Sequence, residues 1–256
     1  MTQVTFFDQF DAGVTAGVLV AVMICTWWIG LRIGRRHRVE GREPPAEKLG
    51  DAGFALFALL LAFGFGMALQ KHDRRREMVI GDANAIGDFY TCASLLREPL
   101  RQNLQAVIRS YTQLLIQARR DVYTPAFERD LQQAARYTNE MTDLVRQAGE
   151  SNSPFTIPLT NTLNELTSAQ TARQSAFEDR LPTLVVLLLL MTAIISVGLT
   201  GWRHGAVETP QRLSPFLLIA IFALVIYVIL DLDQPARGLI QVSQGPMQRL
   251  AASMGK

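Results

Sequence analysis

The sequence is poor in the residue types that usually announce a chemistry. It has two cysteines in 256 residues, too few for a disulfide framework. Cys25 lies in an apolar run and Cys92 in a polar one, which argues against pairing them. Only three histidines occur, His37, His72 and His204, each just outside a different apolar run. A shared metal site would need both ends of those runs to meet, so they read as loop or interfacial residues. There is no excess of one charge: 25 Lys and Arg stand against 23 Asp and Glu. A binding partner of the nucleic-acid type is therefore not expected. No glycine-rich phosphate loop, His-Glu-x-x-His, Cys-x-x-Cys or Gly-x-Ser-x-Gly occurs, and the chain is not expected to be an enzyme. No segment alternates with period two, so no sheet is expected.

What the chain has is long apolar runs. GVTAGVLVAVMICTWWIGLRI covers 13–33, DAGFALFALLLAFGFGMAL 51–69, LPTLVVLLLLMTAIISVGLTGW 181–202 and PFLLIAIFALVIYVIL 215–230. A bilayer core takes about 20 mostly apolar residues to cross. The reading is an all-α protein with four transmembrane helices in two hairpins and a helical bundle inserted between the second and third. The expected parts are a first hairpin over 1–70, a bundle over 71–181, a second hairpin over 182–233 and a polar C-terminal tail over 234–256. The residues before the first run include Asp8 and Asp11 but no Lys or Arg. That run reads as a retained membrane helix, not a signal peptide. Trp27, Trp28 and Trp202 sit where interfacial aromatics belong.

Helical spacing also organises the polar middle. Val79, Ala83, Ile86, Tyr90 and Ala93 carry the second membrane helix onward, with Gly81 and Gly87 as points of bending. Glu98-Pro99 restarts a helix with the stripe Leu100, Leu104, Val107, Tyr111, Leu114 and Ala118. Thr124-Pro125 starts another, with Phe127, Leu131, Ala134, Met141, Val145 and Ala148. GESNSPFTIP, 149–158, is a loop. A last helix over 159–181 shows Leu163, Leu166, Ala169, Ala176 and Phe177.

Four features carry candidate function. Phe57, Leu61 and Phe65 stand at i, i+4 and i+8 on the second span. Around an axis such a face makes a hydrophobic constriction that gates by dewetting; in a single chain it is ordinary packing or lipid contact. Arg74, Arg75 and Arg76 follow that span, either as an anchor to lipid phosphates or as a positive pore mouth. Thr192, Ser196 and Thr200 repeat every four residues, a spacing that serves bonds back to the helix or across to a neighbour. The fourth span ends in ILDLDQPARGLI, with Asp231 and Asp233 at the negative pole of the helix dipole. One explanation is a structural corner, with Asp231 paired to Arg237 or to the basic run, Pro235 stopping the helix and Gly238 turning the chain. The other is a hard divalent cation near Asp231 and Asp233, for which two acids supply too few ligands. No other cofactor or metal is expected.

RRREMVIGDANAIGDFYTCASLLREPLRQNL and DLDQPARGLIQVSQGPM together resemble the bacterial bestrophin-like domain family. The first pattern holds Asp82, Asn84 and Gly87; the second holds Asp231, Asp233, Pro235 and Gly238. The resemblance spans nearly the whole chain. Through the family's remote similarity to bestrophin anion channels it implies a pentamer, a hydrophobic neck on the second membrane helix, permeant small anions and a cytosolic bundle. The run of consecutive acids that forms the calcium clasp of animal bestrophins is missing here.

Charge counts tie on the two sides of the spans, with a mild lean toward an external bundle because the N-terminal flank of the first helix has no basic residue. Arg32, Arg35, Arg36, Arg38, Arg42, Lys48, Arg203 and Arg212 flank the spans on the short-loop side. Lys71, Arg74, Arg75, Arg76, Arg173, Arg180, Arg237 and Arg249 flank them on the other. The expectation is a multi-pass protein of the plasma (inner) membrane, in contact with the bilayer and self-associating. Its function reads as an oligomeric anion channel, or alternatively as a membrane sensor or scaffold that signals through a partner protein.

Overall fold

The computed structural model describes residues 12–36, 46–118, 125–151, 153–206, 214–234 and 238–255. Its elements are α1 (Ala12–Arg36), α2 (Ala46–Ala93), α3 (Leu100–Ala118), α4 (Pro125–Glu150), α5 (Thr156–Glu178), α6 (Thr183–Ala206), α7 (Ser214–Asp233) and α8 (Gly245–Met254). There is no strand among the described residues. Four helices are long and apolar enough to cross a membrane. The protein is a multi-pass membrane protein in contact with the bilayer. Cations close two of the spans at the favourable end of the dipole: Arg35 and Arg36 in α1, Arg203 in α6.

The chain divides into two compact units, Met1–His72 with Arg180–Gln241 and Asp73–Asp179 with Val242–Lys256. The first holds the apolar spans. Its closest contact is between α1 and α6, which approach backbone to backbone through glycine. A Cβ built on Gly30 would overlap the carbonyl oxygen of Gly198, and one on Gly34 that of Trp202. A Cβ on Gly201 would overlap Trp27 O, and one on Gly205 would overlap Leu31 O. Positions rise together on both helices, so α1 and α6 run parallel. Between apolar helices in lipid, small residues permit this approach and van der Waals contact rewards it.

α2 joins the unit by its side chains. Phe57 packs on Phe222 of α7 with ring centroids 4.4 Å apart, and Gly64 faces Leu189 and Ile229. Gly53 lies opposite Ser196 and Leu199. α2 therefore runs parallel to α7 and antiparallel to α6. Thr192 and Thr200 bond back to Leu188 O and Ser196 O at 2.8 and 2.9 Å, while Ser196 is buried. The hydroxyl stripe of α6 thus serves its own backbone.

The second unit is a helical bundle. At about 1.5 Å per residue α2 is about 72 Å long, more than twice the roughly 30 Å of a bilayer core. It runs unbroken through Gly81 and Gly87. Val79, Ile86 and Phe89 of α2 share a core with Leu104, Ile108 and Tyr111 of α3, Met141 and Val145 of α4, and Leu159, Leu163 and Leu166 of α5. Two details of the expected stripes shift. Phe89 is buried where Tyr90 is half-buried, and Leu131 is partly open to solvent. Phe127 lies outside the described side chains.

The expected polar tail over 234–256 is not featureless. Gly245-Pro246 opens α8, with proline in the first turn, and Met247 and Met254 are fully buried in the bundle core. Met247, Leu250 and Met254 stand at i, i+3 and i+7, a helical signal too short to stand out in ten residues.

Gly201→Leu is expected to force α1 and α6 apart and to lower the melting temperature in detergent, at a cost of about 1–3 kcal/mol for overpacking. Gly17→Leu, where a Cβ meets nothing within 4 Å, should leave melting unchanged.

Candidate functional site

The end of α7 shows how a membrane helix tolerates two terminal carboxylates. Asp231 is buried, and the chain turns back so that backbone N–H groups point at it. Leu239 N donates to Oδ1 at 3.0 Å and to Oδ2 at 3.1 Å, and Ile240 N donates to Oδ2 at 2.8 Å. The Tyr227 hydroxyl donates to Oδ1 at 3.3 Å. Successive N–H groups make an anion-binding nest, and here the anion is a side chain of the same chain. Gly238 sits at φ +93°, and a Cβ there would overlap the Asp231 carboxylate. Glycine is required twice, for the backbone conformation and for the space.

Asp233 serves a second strand of the corner. Its Oδ1 accepts Leu181 N at 2.9 Å, just before α6 begins, so it satisfies a donor at that helix entrance. Arg180 Nη1 donates to Asp233 O at 2.6 Å, placing a cation on the last carbonyls of α7. Asp233 and Arg180 tie the end of α7 to the start of α6. Among the described residues the partners of Asp231 are backbone N–H groups and the Tyr227 hydroxyl; Arg237, one of its expected partners, and Pro235 lie outside the described residues. The oxygens of Asp231 and Oδ1 of Asp233 accept from these donors. Among the described residues no three His, Cys, Asp or Glu side chains gather as a metal set.

The other candidates separate. Phe57 is buried at 1% exposure against Phe222, because its position on α2 faces α7. Leu61 is half-buried in the same cluster, and Phe65 is exposed. The three therefore do not form one open face. The open face with Phe65 continues through Ala58, Ala62 and Leu69, at helical spacing.

The arginine run also splits. Arg74 and Arg76 are exposed, but Arg75 is fully buried. Its Nε donates to Ala176 O at 3.1 Å and its Nη2 to Asp179 O at 2.7 Å, where α5 ends. Arg75 is a cation on the C-terminal carbonyls of α5, neither a lipid anchor nor a pore-mouth charge.

Asn84 is exposed, and Gly87 gives room to Leu250 of α8, whose Cδ1 would lie 3.3 Å from a Cβ there. Asp82 lies on α2 well past the apolar run that ends at Leu69, with no exposure. Arg173 Nη1 of α5 stands 2.9 Å from its Oδ2. The contact lies outside hydrogen-bond geometry, and neither carboxylate oxygen has a hydrogen-bond partner among the described residues. Burial pushes this carboxyl above the usual carboxylate range, and Arg173 pulls it part of the way back. The buried Tyr111 phenol of α3 is pushed up by burial and then by Asp82. The sequence does not single out the arginine partner, because the apolar stripe of α5 is weak and Arg173 has no spacing that links it to Asp82.

Gly238→Ala is expected to lower the melting temperature, the positive φ alone costing about 1–2 kcal/mol. Asp231→Asn keeps the shape but loses charge-assisted acceptors, at about 1.5–3 kcal/mol. Thermal melting of the detergent-solubilised protein reads both, and unchanged melting for either would remove the nest as a stabilising element.

The Bestrophin-like domain profile matches residues 16–247. No curated protein matches the sequence. Among solved structures, a bacterial bestrophin homologue from Klebsiella pneumoniae superposes with a TM-score of 0.71 at 13% identity, covering 96% of each chain. Another variant of it gives 0.69 at 13%, covering 93% of this chain and 98% of that one. A structure described as a membrane protein gives 0.67 at 15%, covering 94% and 99%. The shared fold and the profile match over most of the sequence lead to one conclusion: the chain belongs to the Bestrophin-like domain family.

Proposed function

We propose that this protein is a homo-oligomeric channel for small anions such as chloride, assembled as a pentamer with α2 toward the axis. The observation that carries the reading is the asymmetry of α2. One side of it is packed into its own unit through Phe57 and Gly64, while an apolar face with Ala58, Ala62, Phe65 and Leu69 is left open. Phe65 is the neck residue in this reading, and Phe57 and Leu61 hold the helix in place behind it. Such a neck gates by dewetting, and the positive edge of an aromatic ring tolerates a passing anion. Family membership supports the reading, since two of the similar solved structures are described as a bacterial bestrophin homologue.

The helix directions support the two-hairpin arrangement, with α1 and α6 crossing one way and α2 and α7 the other. We place the protein in the inner membrane with the bundle in the cytosol. Arg74 and Arg76, without Arg75, are the basic side chains that act on lipid phosphates or on the entering anion.

Purified protein in liposomes is expected to pass chloride. Phe65→Ala should raise the flux with little change in melting. Phe57→Ala should destabilise the protein, by about 3–5 kcal/mol as for a buried Phe. Absence of flux from both wild type and Phe65→Ala would overturn the channel reading and favour a signalling scaffold, which co-purification of a partner from native membranes would then identify.

A further inference from the structure

We propose that Asp82, held by Arg173 and bordered by Tyr111, is a proton-binding site inside the bundle that makes the contact between α2 and α5 depend on pH. The geometry sets it apart from a stabilising ion pair. The carboxylate has no exposure, has one charged neighbour, and leaves both oxygens without a hydrogen-bond partner among the described residues. The Tyr111 hydroxyl, equally buried, also has no partner there. A structural buried carboxylate normally collects N–H donors, as Asp231 does in the same chain. Asp82 has Arg173 alone, and Arg173 still reaches solvent with 18% of its side chain. On protonation, therefore, Arg173 has water within reach and does not become a second buried orphan.

Among the described residues no other charge holds the proton off. From α5 the facing group is Arg173, and from α3 it is Tyr111. On α2 itself, Arg75 is turned to the carbonyls of Ala176 and Asp179. The core residues of α4 are apolar, among them Met141, Leu144 and Val145, and so are Met247 and Met254 of α8.

The sign follows from linkage. The folded bundle holds the Asp82 proton more tightly than an unfolded chain does, because burial outweighs Arg173. Stability from this group is therefore complete below the ordinary carboxylate range and is lost as pH rises through the raised value. At neutral pH the ion pair ties α2 to α5 at a net cost. As pH falls, the carboxyl becomes neutral and the tie is released.

The test uses the full chain in detergent or nanodiscs, with melting followed from about pH 4 to 8, a window spanning the usual and raised carboxylate range. Asp82→Asn should melt at or above wild type at neutral pH and should lose a pH-dependent component that wild type shows. Arg173→Gln should lower melting at neutral pH and move that component to higher pH, because the charge that favours the carboxylate is gone. Asp82→Asn combined with Arg173→Gln should restore melting, and keeps the test open if the arginine variant alone does not fold. The proposal is overturned if Asp82→Asn destabilises as much as Arg173→Gln at neutral pH. It is equally overturned if wild type and Asp82→Asn have the same pH profile.

Discussion

The membrane unit depends on the backbone contact between α1 and α6. In lipid there is no hydrophobic gain from bringing two apolar helices together, so the contact must rest on packing. Gly30 and Gly34 on one helix and Gly198, Gly201 and Gly205 on the other let main-chain atoms touch. The helices that pack against this pair do so with larger side chains. Phe57 and Phe222 join α2 to α7, and Leu189 and Ile229 fill the space at Gly64. One side of α2 is then committed to its own chain, and the remaining side is left open.

Two buried acids and one half-buried acid show three solutions to the same electrostatic problem. Asp231 is answered by backbone N–H groups of the turn that follows it. Asp233 accepts the backbone N–H of Leu181 at the entrance of α6, while Arg180 covers the carbonyl behind it. Asp82 is answered by one arginine, and incompletely. The first two arrangements use fixed dipoles that stay in place at any pH. The third uses a charge pair, whose worth changes when the carboxyl takes up a proton. The two signature motifs therefore differ in physical kind, one a rigid corner and the other a site with a titratable centre.

Much of the bundle was legible because helical periodicity reports burial directly. Val79, Ile86, Leu104, Tyr111, Met141, Val145, Leu163 and Leu166 are core residues in both the pattern and the structure. The misses have one cause. A period says that residues share a face, but not what that face meets. Phe57, Leu61 and Phe65 share spacing, yet one is buried on α7 and one is open. The three arginines look alike as a run, yet Arg75 turns inward to α5. The ten residues of α8 make a weak pattern, yet Met247 and Met254 are buried in the bundle core.

By itself the sequence determined the helical class, the four spans and most of the bundle's apolar faces. These follow from local composition, since an apolar run long enough to cross lipid must satisfy its own backbone as a helix. It also marked Gly238 and the two terminal aspartates as unusual. Only the tertiary structure decided what those residues do. It brought the N–H groups of Leu239 and Ile240 to Asp231, Leu181 to Asp233, and Arg173 to Asp82. Such pairings join positions far apart in the chain or turned back on themselves. Whether a charge is a cost or a tie depends on the partner that folding places beside it.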